Sequence, residues 1–317
     1  MTRAIVTRLD NDGDVLLAGP AIRAVAAHAD HVTLLCGPRG AQAAALLPGV
    51  DELIVRRAEW IDLEPPRVER AAIDAYIDRV AAVGAGVAVI LGSWHQSPLP
   101  LALLLRLAGV PRIGAVSEDH AGSLLDVRLR DPGDVHEVQR NLAVAAALGF
   151  PLPDDDDARL EVATAPAPHA LPAGYVVVHP GASHPARTWD PDGHREVVTR
   201  LAAAGRPVVV TGAPHERALT AHVAGPADEL VYDLGGATSL AELGGVLAGA
   251  VAVVVANTGP AHLAAAVGTP VVSLFAPTVP PQRWHPWGVP HELLWDAGPE
   301  AVVGALGRLL TREVLPT

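Results

Sequence analysis

Short runs of valine, isoleucine and leucine alternate with longer stretches rich in alanine, leucine and arginine along the whole chain. Such runs are typical of parallel strands buried on both faces, and the stretches between them have helical spacing. Strands are expected at 4–8, 32–36, 52–55, 87–91, 175–179, 207–211, 229–232, 251–255 and 270–274. Helices are expected near 15–28, 40–47, 67–83, 98–108, 134–150, 190–204, 215–224, 239–248 and 260–267. The pattern predicts an α/β fold built on doubly wound parallel sheets.

The chain has 317 residues, which is long for one open-sheet domain and suits two domains of ~150 residues each. Residues 151–174 are rich in proline and aspartate and lack periodicity, as linkers commonly do. We therefore expect domains at 1–152 and 174–297, joined by a linker at 153–173. The acidic run 154–157 is expected to be solvated in this linker rather than to bind a metal ion.

Composition excludes several classes of protein. Apolar runs such as 246–256 are far shorter than the ~18 residues of a membrane span, although mean hydropathy is +0.29. The amino terminus reaches an acidic turn after one strand-like run, unlike a signal peptide, and Cys36 is the single cysteine. A formal charge of −12 argues against nucleic acid as a partner and allows at most peripheral membrane association. A cytoplasmic protein is expected.

The first predicted strand ends in an acidic turn, with Asp10, Asp12 and Asp14 placed around Gly13. The turn does not fit a calcium-binding EF-hand loop, and it lacks the G-x-G-x-x-G pattern of a dinucleotide site. Its negative charge repels phosphates but suits a general base for a hydroxyl group. Simple capping of a helix by aspartate would explain one or two of the three carboxylates.

The second half contains a turn of the opposite kind at 257-NTGPAH-262. Asn257 and Thr258 are good N-cap residues, and Gly259 allows close approach to the backbone at a helix amino terminus. This position favours an anion such as a phosphate, although a plain βαβ crossover would look the same. Two more strand ends open into small-residue loops at 180–187 and 212–216, the first carrying Arg187. Together with the acidic turn, they predict a cleft between two nucleotide-type domains.

Several motifs give the chain a more specific resemblance. They are 13-GDVLLAGPAI-22, 137-EVQRNLAVAAALG-149, 178-VHPGAS-183, 187-RTW-189, 212-GAPHE-216 and 258-TGPAHLAAAVGTPVVSLFAPT-278. Through nearly its whole length the chain resembles glycosyltransferase family 9, the ADP-heptose:lipopolysaccharide heptosyltransferases and their relatives. The resemblance implies the GT-B architecture: two Rossmann-like domains facing a cleft, with the acceptor bound by the first domain and the nucleotide-sugar donor by the second. It also implies that the terminal segment 298–317 forms a helix that returns to the first domain.

The resemblance implies roles for individual residues. Asp14 matches the catalytic aspartate, which takes a proton from the acceptor hydroxyl in an inverting displacement. Arg187 matches a basic residue for the diphosphate, and Glu216 matches an acid for the ribose. The implied donor-binding residues are Ser183, Arg187, Glu216, Thr238, Asn257, Thr258, Gly259 and His262. His262 reaches a phosphate or packs under a loop, and Asn257 stands where heptosyltransferases usually have aspartate.

The acceptor site is less defined by sequence. Candidate acceptor-binding residues are Asp12, Trp94, His95, Asp119, His120 and Arg283. Trp94 could stack on a sugar ring or fill the gap between domains, and Arg283 could contact donor or acceptor or link the domains. Because the chain is acidic and its arginines are dispersed in sequence, a soluble glycan or small-molecule acceptor is a live alternative to a lipid-anchored one.

These observations lead to one expected function and two alternatives. The expected function is a metal-independent, inverting glycosyltransferase without a cofactor. It would move a heptose or hexose from a nucleotide-diphosphate sugar, with an ADP-heptose-like donor favoured, to a hydroxyl of the acceptor. The first alternative is a nucleotide-sugar epimerase of GT-B type, which would need acid and base groups near the sugar in the donor domain. The second is a non-catalytic nucleotide-sugar binding protein.

Overall fold

The computed structural model of the protein describes residues 2–182, 187–277 and 279–312. The chain divides into two compact units, residues 1–161 and 162–317. Each unit is built around a six-stranded parallel sheet. Within the described ranges, no helix is long and apolar enough to cross a membrane.

The sheet of the first unit has the strand order β3-β2-β1-β4-β5-β6, with every pair parallel. Its strands are β1 (Arg3–Arg8), β2 (His31–Cys36), β3 (Glu52–Val55), β4 (Val87–Ile90), β5 (Arg112–Val116) and β6 (Val127–Leu129). The sheet order reverses between β1 and β4, so their carboxyl ends border the crevice at which open α/β sheets bind ligands.

Helices cover both faces of this sheet. They are α1 (Asp12–Leu17), α2 (Gly19–Ala26), α3 (Ala41–Ala44), α4 (Arg70–Ala81), α5 (Leu99–Leu107) and α6 (Glu137–Ala147), with a 3₁₀ turn at Pro38–Gly40. On one face, Ile5 and Ile113 of the strands pack with Tyr76 of α4 and with Leu101 and Leu105 of α5. Burial of these side chains, each worth about 1.5–3 kcal/mol, holds the strands in register and fixes their ends.

The second unit repeats the arrangement with the order β12-β11-β10-β7-β8-β9, again all parallel. Its strands are β7 (Val176–His179), β8 (Val208–Gly212), β9 (Val231–Gly235), β10 (Ala252–Ala256), β11 (Val271–Leu274) and β12 (His291–Leu294). Here the order reverses between β7 and β10, which places the second crevice at the ends of those two strands.

The second unit's helices are α7 (Pro191–Ala203), α8 (Arg217–Ala224), α9 (Leu240–Ala248), α10 (Gly259–Ala266), α11 (Pro281–Trp284) and α12 (Pro299–Arg312), with a 3₁₀ turn at Pro214–Glu216. The terminal helix α12 packs within the second unit. Its apolar stripe, Val302, Ala305, Leu306 and Leu309, is part of the second unit's core with Val197 of α7. Burial of this stripe, rather than chain order, determines which sheet the helix covers.

All nine predicted strands are present, and β9 begins two residues later than expected. Strands β5, β6 and β12 and the short helix α11 were not predicted. Strand β6 has only three residues, and β12 (HELL) is a half-buried edge strand without the apolar pattern that signals burial on both faces. Strand β5 begins at an exposed arginine and contains Gly114, which weakens its sequence signal.

The predicted linker has no helix or strand but is tied down at both ends. Arg23 donates two hydrogen bonds of 2.7 Å to the carboxylate of Asp156, so the expectation of a fully solvated acidic run is wrong at that residue. The paired arginine lowers the pKa of Asp156. Further along, the Ala165 amide donates to the carbonyl of Ala241 in the second unit. The unit boundary falls between these anchors, at residues 161 and 162.

Candidate active site

A buried cation lies at the crevice of the first unit. Arg8, the last residue of β1, is completely buried and binds three carboxylates: Asp10 at 2.8 Å, Asp14 at 2.9 Å and Glu137 at 3.2 Å. Its guanidinium also donates to the Ser93 hydroxyl at 2.9 Å. Burial alone would lower the pKa of Arg8, but the three carboxylates raise it above its usual value. Arg8 is therefore a permanent charge that organises the crevice.

Asp14 is the carboxylate of this cluster that reaches solvent. It lies in the first turn of α1, where a negative charge is favoured by the helix dipole, and its side chain is 20% exposed. The side chains of Asp10 and Glu137 are 6% and 0% exposed. Asp14 thus combines a fixed orientation with access to a ligand, which are the two requirements for a general base.

Asp10 and Asp12 have different environments. Burial raises the pKa of Asp10, although Arg8 and a hydrogen bond from Gln96 oppose the change. Asp12 accepts a hydrogen bond of 3.1 Å from the Ala43 amide. This bond lowers the pKa of Asp12, but burial has the larger effect and raises it. Asp12, expected to contact the acceptor, is thus engaged with the amino-terminal part of α3, while Asp14 is bound to Arg8.

The other predicted acceptor residues of the first unit lie in two loops. Trp94 and His95 follow β4, are exposed, and make an edge contact with ring centroids 5.7 Å apart. Asp119 and His120 follow β5 and are exposed; Asp119 accepts a hydrogen bond of 3.3 Å from Ser97. Arg283, also expected to contact the acceptor, is a buried residue of α11 in the second unit.

In the second unit, the ends of β7 and β10 bring together the residues expected to bind an anion. Arg187 donates to the Asn257 carbonyl at 3.4 Å, and the Asn257 amide donates to the Trp284 carbonyl at 3.0 Å. Thr258 is the N-cap residue of α10, and Gly259 is its first residue. Because the first amides of a helix lack intrahelical acceptors, this end of α10 together with Arg187 forms an electropositive site.

His262 lies one turn into α10 and is 4% exposed. Its Nδ1 atom has no hydrogen-bond partner among the described residues. Burial lowers the pKa of His262 to about 4, with smaller contributions from Arg187 and His285. The imidazole is therefore neutral near neutral pH and could only donate a hydrogen bond to a phosphate, not an ion pair.

Glu216 lies in the 3₁₀ turn after β8 and contacts the loop that follows β7. Its carboxylate accepts a hydrogen bond of 2.7 Å from the Ala213 amide and lies directly over Gly181. A Cβ atom at position 181 would be 2.3 Å from the Glu216 oxygens, so only glycine allows this approach. Thr238 is half-buried in the loop after β9. Ser183 lies outside the described residues.

The sequence indicated Asp14 as a candidate base, but the residues that hold its carboxylate were not predicted. Arg8, Ser93 and Glu137 were not among the expected site residues, and they meet at the crevice from three separate elements. The one available signal was an arginine at the end of the largely apolar run 4-AIVTR-8; Glu137 stands among polar residues at the start of α6 and gives no such signal. Among the residues that the structure describes, no group of three or more His, Cys, Asp or Glu side chains is placed to hold a metal ion.

Comparison with known proteins identifies the class of protein that these features define. The model of glycosyltransferase family 9 (heptosyltransferase) matches residues 95–302, well over half of the chain. The chain belongs to this family, and its two parallel sheets have the GT-B arrangement of the solved heptosyltransferases, which confirms the predicted fold class.

Particular relatives agree with this result. Lipopolysaccharide heptosyltransferase 3 of Escherichia coli is 36% identical over 116 residues, which cover 36% of this chain and 33% of the relative. The chain thus matches about a third of that curated relative. The structure of E. coli ADP-heptose lipopolysaccharide heptosyltransferase II is similar, with a TM-score of 0.79, 19% identity and coverage of 99% and 100% of the two chains. The structure of E. coli heptosyltransferase WaaC with ADP has a TM-score of 0.75 and 20% identity. The match covers 97% of this chain and 100% of that chain.

Proposed function

We propose that the protein is an inverting glycosyltransferase that moves a heptose or hexose from a nucleotide-diphosphate sugar to a hydroxyl of a glycan or small-molecule acceptor. The observation that carries the proposal is Asp14, partly exposed at the first crevice and fixed by Arg8 at 2.9 Å. Membership of the heptosyltransferase family supports the reaction class, and relatives described with ADP and ADP-heptose favour an ADP-heptose-like donor.

In the proposed reaction, Asp14 accepts the proton of the acceptor hydroxyl as its oxygen attacks the anomeric carbon. The bond between that carbon and the diphosphate oxygen breaks, and the electron pair leaves with the nucleoside diphosphate. A single displacement of this kind inverts the anomeric configuration. Arg8 holds the carboxylate of Asp14 in a fixed orientation, at 2.9 Å, before the acceptor hydroxyl arrives.

The second unit would bind the donor. The end of α10 at Thr258 and Gly259 and the guanidinium of Arg187 would receive the charge that develops on the diphosphate. Glu216, fixed over Gly181, would accept hydrogen bonds from the ribose hydroxyls. These groups would do so without a metal ion or a cofactor, and Asn257 would contribute its backbone carbonyl to orienting Arg187. We place this activity in the cytoplasm, where a buried free thiol such as Cys36 is stable.

Calorimetric titration tests the proposal. The protein is titrated with ADP, UDP, GDP and dTDP without added metal, and then with sugar nucleotides of the preferred base. We expect one diphosphate, ADP, to bind at least about tenfold more tightly than the others, which corresponds to ~1.4 kcal/mol. A folded sample that binds none of them would contradict the proposal. A sugar nucleotide converted to its epimer without an acceptor would favour the epimerase, and binding without any turnover would favour the binding protein.

A further inference from the structure

His179 is a buried histidine at the carboxyl end of β7, and the proposed reaction does not use it. Strand β7 pairs with β8 on one side and with β10 on the other, and His179 is opposite Val255 of β10. The residue therefore lies where the sheet order reverses, at the crevice of the second unit. A polar side chain at this point can reach a ligand that is bound at the strand ends.

The hydrogen bond of His179 indicates which of its ring nitrogens carries the proton. Its Nδ1 atom is 2.9 Å from the hydroxyl oxygen of Thr211, a residue of β8 that is 0% exposed and has no other hydrogen bond of its hydroxyl to a described residue. If Nδ1 donated, the proton of this hydroxyl would be buried without an acceptor, which is rare in proteins. Both groups are satisfied when Thr211 donates to Nδ1, and the ring proton is then on Nε2.

The Nε2 atom of His179 is open to the crevice. Both ring nitrogens of the neighbouring His194 are buried without a hydrogen-bond partner. The Nε2 atom of His179 also has no partner among the described residues, but it is not enclosed, and His179 as a whole is 8% exposed. Burial lowers the pKa of His179 to about 4, so the ring is neutral near neutral pH. The Nε2–H group is thus an uncharged hydrogen-bond donor.

Glu216 places a hydrogen-bond acceptor beside this donor. Its carboxylate lies over Gly181 and Gly212, which follow His179 and Thr211 at the ends of their strands. A Cβ atom at position 212 would be 3.3 Å from a Glu216 oxygen. The charge of Glu216 raises the pKa of His179 against the larger effect of burial, as expected for adjacent groups. A neutral donor and an ionised acceptor therefore adjoin at the ends of β7 and β8.

A hydroxyl group matches this pair better than a phosphate does. A hydroxyl can donate to the Glu216 carboxylate and accept from Nε2–H of His179 at the same time. A phosphate oxygen could accept from His179, but the negative charge of Glu216 would repel it. The sugar of a nucleotide carries such hydroxyl groups next to the diphosphate.

We propose that His179 is a specificity-determining residue that donates from Nε2 to a ribose hydroxyl of the nucleotide-sugar donor, while the same hydroxyl donates to Glu216. The inference rests on the proposed function, in which Glu216 binds the ribose. It adds a second ribose contact and states its consequence: the site selects ribonucleotide donors over donors that lack the ribose hydroxyls.

Calorimetric titration with ADP and 2′,3′-dideoxy-ADP tests the proposal. We expect the native protein to bind ADP at least about tenfold more tightly, because the analogue leaves the polar groups of the site unpaired. His179→Phe should lower this ratio at least about threefold, mainly through weaker ADP binding, since one hydrogen bond to the hydroxyl is lost. A folded His179→Phe with an unchanged ratio would overturn the proposal. An equal loss of affinity for both nucleotides would also overturn it, because His179 would then act on the diphosphate or on the fold.

Two further variants separate the hydrogen bond from the shape of the ring. His179→Gln keeps an N–H donor on a side chain of similar reach and should retain more of the ratio than His179→Phe. Thr211→Val removes the hydroxyl that holds the proton on Nε2, with little change in shape, and should lower the ratio in the same direction. If His179→Phe does not fold, Thr211→Val decides: an unchanged ratio in that variant would contradict the proposal.

His194→Phe is the matched control. His194 is a fully buried histidine of the same unit, and its ring contacts Trp189. We expect this variant to keep the native ratio of ADP to 2′,3′-dideoxy-ADP affinity. A ratio that falls as far as in His179→Phe would mean that loss of any buried histidine has this effect, and the assignment of His179 would fail.

Binding of ADP to the native protein distinguishes failure of the inference from failure of the proposed function. If the native protein binds ADP but does not discriminate against 2′,3′-dideoxy-ADP, the ribose contact of His179 is wrong and donor binding stands. If the folded native protein binds neither nucleotide, the proposed function fails and the inference fails with it.

Discussion

The guanidinium of Arg8 and the carboxylate of Asp14 are 2.9 Å apart, and the Arg8 side chain is 0% exposed whereas that of Asp14 is 20% exposed. The ion pair thus has one end inside the first unit and one end at its surface. Ser93 and Glu137 fix the buried end. This arrangement orients a single carboxylate oxygen by interactions that a bound ligand does not have to disturb.

Removing the buried cation should destabilise the protein strongly. Arg8→Met leaves the carboxylate of Asp10 buried without its counterion and leaves Glu137 with only Arg140, at 4.0 Å. We expect a loss of about 3–5 kcal/mol in the free energy of unfolding. Urea unfolding measures this loss. Arg159→Met removes an exposed pair with Asp157 and should cost less than about 1 kcal/mol. Similar losses in the two variants would mean that the Arg8 cluster is not a structural centre.

The contact between Gly181 and Glu216 makes a prediction for donor binding. Gly181→Ala would place a Cβ atom 2.3 Å from the Glu216 carboxylate and force that side chain away. We expect ADP affinity to fall at least about tenfold, close to the effect of Glu216→Gln, because both changes remove an oriented charged acceptor. Gly86→Ala is the control, since nothing lies within 4 Å of its added Cβ. Calorimetry measures the ADP affinity of each variant. An unchanged ADP affinity in Gly181→Ala would mean that Glu216 does not contribute to donor binding.

A hydrogen bond of its side chain explains why position 257 is occupied by asparagine. Its side-chain amide donates to the Trp284 carbonyl at 3.0 Å, which an aspartate could not do. We expect Asn257→Asp to destabilise the second unit by about 1–3 kcal/mol and to weaken ADP binding, since it brings two oxygens together and adds a negative charge. Asn257→Ala removes the bond without the charge and should lower stability while affecting ADP binding less. Tighter ADP binding by Asn257→Asp would contradict this interpretation.

Buried histidines should make stability sensitive to acid. His194 is fully buried against Trp189, and burial, with a smaller contribution from His179, lowers its pKa to about 3. The unfolded chain takes up a proton near pH 6.5 and the folded protein does not, so stability is complete above that pH and falls below it. Between pH 6.5 and pH 5, the free energy of unfolding of His194→Phe should therefore fall by about 2 kcal/mol less than that of the native protein.

Thermal or urea unfolding at the two pH values measures this difference. His169→Phe, at an exposed position in the linker, is the control and should follow the native pH dependence. An unchanged acid sensitivity in His194→Phe would mean that burial does not lower the pKa of this histidine.

The sequence was sufficient for most of the fold because a buried parallel strand leaves a strong apolar signal. Strands such as 251–255 and 207–211 could be predicted directly, whereas β12 could not, because an edge strand needs no apolar pattern. The packing of α12 on the second unit also required the structure. Its apolar stripe shows which face is buried, but not which sheet it covers.

The candidate site was predicted only where its residues are adjacent in sequence. The turn at Thr258 and Gly259 carries its chemistry in consecutive residues, and so does the acidic turn that contains Asp14. The Arg8 cluster joins residues that are as far as 129 positions apart in sequence. Such long-range pairing depends on the sheet order, which no local pattern specifies.

The most direct test of the central claim is the turnover of Asp14→Asn. With the preferred sugar nucleotide and an acceptor, release of the nucleoside diphosphate is followed in the native protein and the variant, and NMR gives the anomeric configuration of the product. We expect the native product to be inverted, the variant to be slower by about 10²–10⁴-fold, and the affinity for the diphosphate to be unchanged within a few fold. Native turnover by Asp14→Asn, or a product with retained configuration, would contradict the assignment of Asp14 as the general base.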